Sequence, residues 1–167
     1  MDIRRFTEAD FEQVQDIYQQ GIATGNATFQ AQRKSWLQWQ SSMIEDTTLV
    51  ITQHNTCSTP QLLGWAGLSA ISSRDIYSGV AEISIYVATD ATGRGVGKKL
   101  FKALIEHSET LGFWTLQAAI FPENSASIAL HKSVGFKVIG RREGLGKMQG
   151  VWRDVILLER RSTVVGL

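Results

Sequence analysis

Polar and apolar residues alternate along Ala81-Glu82-Ile83-Ser84-Ile85-Tyr86-Val87, a period of two that predicts a strand with two different faces. Similar patterns predict strands at Asp2 to Phe6, Thr48 to Thr52, Leu62 to Ser69 and Thr115 to Phe121, and near Phe136 to Arg141 and Trp152 to Glu159. Helical spacing appears between them. Thr7 is placed to cap a helix running to about Gln20, with Phe11, Val14, Ile17 and Tyr18 on one face. A second helix is predicted around Ser35 to Met43, and a third over Val96 to Leu111 with Leu100, Leu104, His107 and Leu111 at helical spacing. A short fourth helix ends at Gly135. Gly21 to Arg33 reads as a loop with a Gly25-Asn26 turn, and Arg160 to Leu167 as a loose tail. The result is an α/β alternation without repeats, and 167 residues fit one domain with a substantial core.

The strand at Ala81 to Val87 runs into Thr92-Gly93-Arg94-Gly95-Val96-Gly97-Lys98 and then into a helix. Gly93, Gly95 and Gly97 leave the backbone bare, so the N–H groups of Arg94 to Lys98 can converge on an anion at the positive end of the helix. A pyrophosphate suits such a cradle. The Walker spacing fails, because Gly97-Lys98 is followed by Lys99 and Thr92 stands where the first glycine belongs. The dinucleotide fingerprint also fails, with Lys98 at its third glycine.

In the fourth helix, Asn124, Ser127 and His131 stand at i, i+3 and i+7 and share a face. A ligand along that face would meet an amide, a hydroxyl and an imidazole. Each also has a local reading: Asn124 as an N-cap, Ser127 as a surface residue and His131 as a packing residue.

Together the glycine turn and the Asn-helix resemble the GNAT N-acetyltransferases, whose acetyl-CoA signature Gln/Arg-x-x-Gly-x-Gly/Ala is matched by Thr92-Gly93-Arg94-Gly95-Val96-Gly97. The family's Asn, Tyr and Gly-Phe signature is matched by Asn124, His131 and Gly135-Phe136. Thr92 replaces the usual basic or amide residue, and His131 stands where many members have tyrosine. The chain is more specifically similar to the phosphinothricin and methionine sulfoximine acetyltransferases. The matching motifs are Glu82-Ile-Ser84-Ile-Tyr86-Val87, His131-Lys132, Gly150-Val-Trp152-Arg-Asp154-Val155, and Ala27-Thr28-Phe29 ahead of Trp36.

That resemblance implies a single-domain acyl-CoA N-acyltransferase fold over residues 1–160, with 161–167 as a tail, and a mixed sheet of about six to seven strands flanked by about four helices. It implies acetyl-CoA as the acetyl donor, with Ile85, Tyr86 and Val87 pairing with pantetheine. Gly93, Arg94, Gly95, Val96, Gly97 and Lys98 would hold pyrophosphate, and Asn124 and Ser127 would line the cofactor. Glu82 is the expected base for the acceptor ammonium, or a carboxylate that only anchors it; His131 is the expected acid for the thiolate, or a relay for the amine proton. Arg74 and Tyr77 are expected to recognise the acidic end of an amino-acid acceptor, and Phe29 to form an apolar wall. A homodimer and a role in detoxification also follow from the resemblance.

Composition narrows the partners. A net charge of +1 with dispersed basic residues gives no reason to expect nucleic acid or an anionic membrane. No apolar run is long enough to cross a bilayer, and Met1 to Arg5 leads into a strand and not an apolar signal segment. Cys57 is the single cysteine, which fits a reducing, cytoplasmic setting. His54, His107 and His131 are too scattered for a metal site. Two rivals remain at this point: an acetyltransferase for another amine, such as a polyamine or peptide N-terminus, and a non-catalytic acyl-CoA-binding module.

Overall fold

A computed structural model describes residues 1–53 and 60–167; the predicted positions of His54 and Cys57 lie outside the described residues. In chain order the elements are β1 (Asp2–Arg5), α1 (Phe11–Ala23), α2 (Trp36–Ser42), β2 (Leu49–Gln53), β3 (Gln61–Ala70), β4 (Val80–Val87), α3 (Val96–Thr110), β5 (Thr115–Ile120), α4 (Ser125–Ser133), β6 (Lys137–Met148) and β7 (Val151–Arg161). The strands form one sheet in the order β1-β2-β3-β4-β5-β7-β6. Only β4 and β5 are parallel; every other neighbour is antiparallel.

Local chemistry sets the helix starts. Ser35 caps α2 by accepting from the Gln38 amide at 3.3 Å, while Gln38 reaches back to the Ser35 amide at 2.9 Å. Thr7 does not open α1 directly. A 3-10 turn, Glu8–Asp10, intervenes, because the Asp10 carboxylate accepts from the Thr7 amide at 2.8 Å and from both ends of the Arg4 guanidinium at 2.7 Å. Asp10 is buried, and these donors outweigh its desolvation to hold its pKa below the ordinary value.

The core lies on both faces of the sheet. Leu100, Phe101 and Leu104 of α3 are wholly buried, while α1 and α2 cover the other face with an aromatic cluster. Trp65 stacks on Tyr86 at 5.0 Å and 18°, and Tyr18 meets Tyr86 edge-on at 5.0 Å. Such pairs contribute roughly 0.5–1.5 kcal/mol each beyond their buried area.

Two expectations about the C-terminal part are corrected. β6 and β7 are longer than their apolar patterning predicts, because a Gln149-Gly150 turn, both residues at positive φ, joins them into one hairpin. The tail is not loose: Arg161 donates to the carbonyls of Trp114, Val165 and Gly166, and the Ser162 hydroxyl donates to Glu109 at 2.8 Å. Ser162 is itself buried.

Candidate active site

β4 and β5 pair only at Val80↔Thr115, Ala81↔Leu116 and Glu82↔Gln117. Beyond that point β4 continues to Val87 bonded to β3 alone, so the edge of residues 83–87 that faces β5 is unpaired. The strands part at Glu82. Backbone amides and carbonyls of Ile85 and its neighbours therefore line a cleft, and an extended ligand with its own amides can satisfy them.

The outer end of this cleft is the glycine turn. Gly93 and Gly95 adopt φ of +74° and +77°, a conformation that disfavours any side chain, and a Cβ at either would meet nothing within 4 Å. Gly95 is the N-cap of α3, so the first amides of that helix face open space. Gly97 has a different reason. A Cβ there would lie 3.2 Å from Leu130 and 3.4 Å from Val87, so its bareness lets α3 pack against α4 and β4. Val96 is buried and offers only its backbone. The side chains of the turn face elsewhere: Thr92 donates to the Thr89 carbonyl at 2.8 Å, and Arg94 to Gln53 at 2.6 Å. Lys98 is exposed beside the cradle. Bare backbone, a helix N-terminus and an adjacent cation fit a pyrophosphate.

At the inner end stands Glu82. The residue is exposed overall, yet desolvation by the surrounding protein raises its carboxyl pKa above the ordinary value, with the Arg142 charge opposing that rise. Tyr86 lies two positions along the same strand face, its phenol pushed up by burial and by the neighbouring Tyr18 and Glu82.

The loop between α1 and α2 closes the acceptor side. Phe29 meets Phe121 edge-on at 4.7 Å and sits where a Cβ on Gly146 would be, 2.7 Å from its ring. Arg153 lies over Phe121 at 4.2 Å and donates to Gly25, to Asn26 at 2.9 Å and to Glu123 at 3.1 Å. Phe29, Phe121 and the bare face of Gly146 thus form one apolar contact. Arg74 begins the 3-10 turn Asp75–Tyr77, with its guanidinium over the Tyr77 ring at 5.3 Å, and both are exposed on the loop leading into β4. No hydrogen bond or ion pair links Arg74 to Glu82 among the described residues.

In α4 the local readings of Asn124 and His131 are the contacts the structure shows. Asn124 accepts from the Ser127 amide at 3.1 Å and donates to the Asn26 carbonyl at 3.1 Å, so both ends of its amide bind protein. It acts as both cap and strut, joining α4 to the loop that follows α1. His131 is 3% exposed, between Phe101 at 4.7 Å and Phe136 at 5.1 Å. Its Nδ1 lies 2.8 Å from the Ser127 carbonyl, which only accepts, so Nδ1 carries the proton. Burial lowers the imidazole pKa, with the hydrogen bond to the Ser127 carbonyl opposing that fall. The contacts with Phe101 and Phe136 are those of the packing residue that the sequence also offered at His131.

Residues 3–157 match the sequence profile described as the acetyltransferase (GNAT) domain. The chain belongs to the GNAT acetyltransferase family. Among relatives, it is 34% identical over 99 residues to an L-methionine sulfoximine/L-methionine sulfone acetyltransferase of Pseudomonas paraeruginosa, a match spanning 59% of this chain and 58% of that one. A phosphinothricin acetyltransferase of Sinorhizobium meliloti, solved in complex with acetyl-CoA, superposes with a TM-score of 0.86 at 27% identity, covering 99% of this chain and 90% of that one. A ribosomal-protein-alanine N-acetyltransferase of Brucella melitensis superposes with a TM-score of 0.83 at 28% identity, covering 97% and 100%. Gln117, Phe121, Arg142 and Arg153 were not among the site residues expected from the sequence; the β4–β5 register puts Gln117 on the Glu82 face, and nothing in the pattern announces the cross-strand partners of the other three.

Proposed function

We propose that this protein is an acetyl-CoA-dependent N-acetyltransferase acting on the amino group of a small amino acid or analogue of the phosphinothricin, methionine sulfone or methionine sulfoximine type. The observation that carries it is the parting of β4 and β5 at Glu82↔Gln117, which sets a carboxylate at the inner end of a cleft whose outer end is a glycine cradle. Acetyl-CoA supplies a thioester whose carbonyl carbon accepts the amine as the carbon–sulfur bond breaks. Gly93, Gly95 and the first amides of α3 hold its pyrophosphate, and the free edge of β4, through Ile85, Tyr86 and Val87, holds its pantetheine. Such positioning is worth up to about 7–11 kcal/mol of barrier.

Glu82 takes the proton from the acceptor ammonium, directly or through water, and frees the nitrogen lone pair. Its raised pKa suits a base that must win a proton from nitrogen and release it to solvent. The leaving thiolate takes its proton from water, and Ser127 and His131 support the cofactor side through packing. Phe29 and Phe121 seat the acceptor's apolar stem, while Arg74 and Tyr77 meet its polar head.

The protein acts in the cytoplasm on free small molecules, as a detoxifying homodimer. The dimer reading is supported by Val138, Ile139, Val151 and Trp152, which are 48%, 54%, 61% and 64% exposed on the β6–β7 hairpin at the edge of the sheet.

A screen of amine acceptors with thiol release as readout tests the activity. Turnover of methionine sulfone or phosphinothricin above that of spermidine and an alanine-terminated peptide is the expected result. Preference for the peptide, the chemistry in the name of the Brucella relative, would overturn the acceptor class, and tight acetyl-CoA binding without turnover of any amine would overturn catalysis itself.

A further inference from the structure

Register fixes which side chains share the acceptor face of the sheet. Glu82 pairs with Gln117 and Gln117 with Glu159, so these three point to one side of β4, β5 and β7. On β7 the same side carries Val155 and Arg153, and Arg153 confirms it by lying over Phe121. Across the hairpin, Val155 pairs with Arg142 and Arg153 with Gly146. Arg142 therefore faces the acceptor side with Glu82, whereas its neighbour Arg141 turns to the other face and pairs with Asp154.

The charges on this face are not equally free. Arg153 is engaged by Gly25, Asn26, Met148 and Glu123. Glu159 accepts from Gln117 at 3.2 Å. Arg142 has no hydrogen bond or ion pair among the described residues, and neither has the Glu82 carboxylate. Their strands stand three spacings apart, at least about 14 Å between backbones, which two long side chains close only in part. Between them Ala119 leaves an exposed, featureless floor. A bulge between Arg142 and Gly146 shapes the far rim, held by Asp154 accepting from the Gly144 amide at 2.8 Å, and it brings Gly146 against Phe29.

We propose that Arg142 binds the α-carboxylate of the acceptor while Glu82 takes its ammonium, so that the two unpaired charges on this face select α-amino acids over other amines. This rests on the amino-acid reading above and divides the cations: Arg142 serves the α-carboxylate and Arg74 the polar head of the side chain. A guanidinium and a carboxylate on opposite sides of a small floor match the zwitterion of an α-amino acid, whose own charges are a few bonds apart.

The test compares three amines: methionine sulfone, its decarboxylated counterpart 3-(methylsulfonyl)propan-1-amine, and norleucine, which keeps the carboxylate but lacks the sulfone. Binding is measured by calorimetry on the CoA-loaded protein, and KM and kcat from thiol release. The unmodified protein is expected to favour methionine sulfone over the decarboxylated amine by roughly 10–100-fold. Arg142→Met should erase that preference, mainly through the acceptor KM, leave the preference for sulfone over norleucine, and leave acetyl-CoA affinity unchanged. Arg142→Lys should restore part of it, and Arg74→Ala should do the reverse, erasing the sulfone preference alone. The inference is overturned if the unmodified protein does not distinguish the carboxylate, binds none of the three, or if Arg142→Met weakens all three equally. If methionine sulfone and norleucine bind with the predicted pattern but neither is acetylated, the assigned activity falls while the carboxylate site stands.

Discussion

The Asn124 side chain donates to the Asn26 carbonyl at 3.1 Å, across 98 residues of sequence, and so ties the acceptor loop to the start of α4. The same side chain caps that helix through Ser127. One residue thereby couples the two walls of the cleft, with Arg153 adding a second tie at Asn26.

Asn124→Ala should cost about 1–2 kcal/mol from the lost cap and strand the Asn26 carbonyl. Asn124→Asp keeps the capping oxygen, loses the donor and turns a carboxylate oxygen toward the Asn26 carbonyl, a repulsion that the favourable charge at the helix start offsets in part. Thermal unfolding should therefore show a clear drop in Tm for the alanine variant and a smaller one for aspartate, while both raise the acceptor KM. Equal acceptor KM values in all three proteins would mean that the tie does not shape the acceptor wall.

Replacing Glu82 by glutamine should lower kcat by roughly 10²–10⁴-fold with acetyl-CoA affinity retained. The unmodified enzyme should lose kcat/KM as pH falls through the raised pKa of Glu82, because the base works only when ionised. Arg142 stabilises the ionised form, so Arg142→Met should move that acidic limb to higher pH. A pH–rate profile that keeps the limb unmoved in Arg142→Met, or retains it in Glu82→Gln, would assign the limb to another group.

His131 makes the opposite kind of contribution. Its folded pKa is depressed, so the unfolded chain binds the extra proton first; the associated stability is present above the ordinary imidazole value of about 6.5 and is lost as pH falls through it. Denaturant titrations from pH 8 to 5 should show this loss, and His131→Gln should flatten it. His131→Ala should cost about 2–4 kcal/mol through the cavity left against Phe101 and Phe136. In the folded fraction its kcat should stay within a few-fold of the parent; a loss of 100-fold or more would restore a direct role in proton transfer.

Gly95 and Gly97 should separate binding from packing. At φ +77°, Gly95→Ala forces a left-handed residue at a cost of about 1–2 kcal/mol and puts a methyl group in the cradle, so calorimetry should show a marked loss of acetyl-CoA affinity. Gly97→Ala gains up to about 1 kcal/mol of helix propensity and meets only the flexible end of Leu130 and the Val87 methyl, so Tm should move little. Gly97→Val should overpack that contact and destabilise by about 1–3 kcal/mol. Equal effects of the two alanine changes on acetyl-CoA affinity would merge the two roles.

The sequence by itself determined the element order, the glycine turn at the start of α3 and the position of Glu82 on its strand. These are local facts: period-two alternation over Ala81 to Val87 and a glycine turn at a helix start each act within a few residues, so the pattern carries them. What Asn124, His131 and Arg142 do was decided by tertiary structure. An amide can cap, strut or bind a ligand, and the Asn26 carbonyl that makes it a strut lies 98 residues away. An imidazole on a helix face serves as acid or filler according to whether Phe101 and Phe136 close over it. Arg142 shares a face with Glu82 only because β5 and β7 lie between their strands in that register, and a bulge held by Asp154 ends the register beyond it. Cross-strand placement depends on register and on which strands neighbour each other, and neither is written in the spacing of residues along one segment.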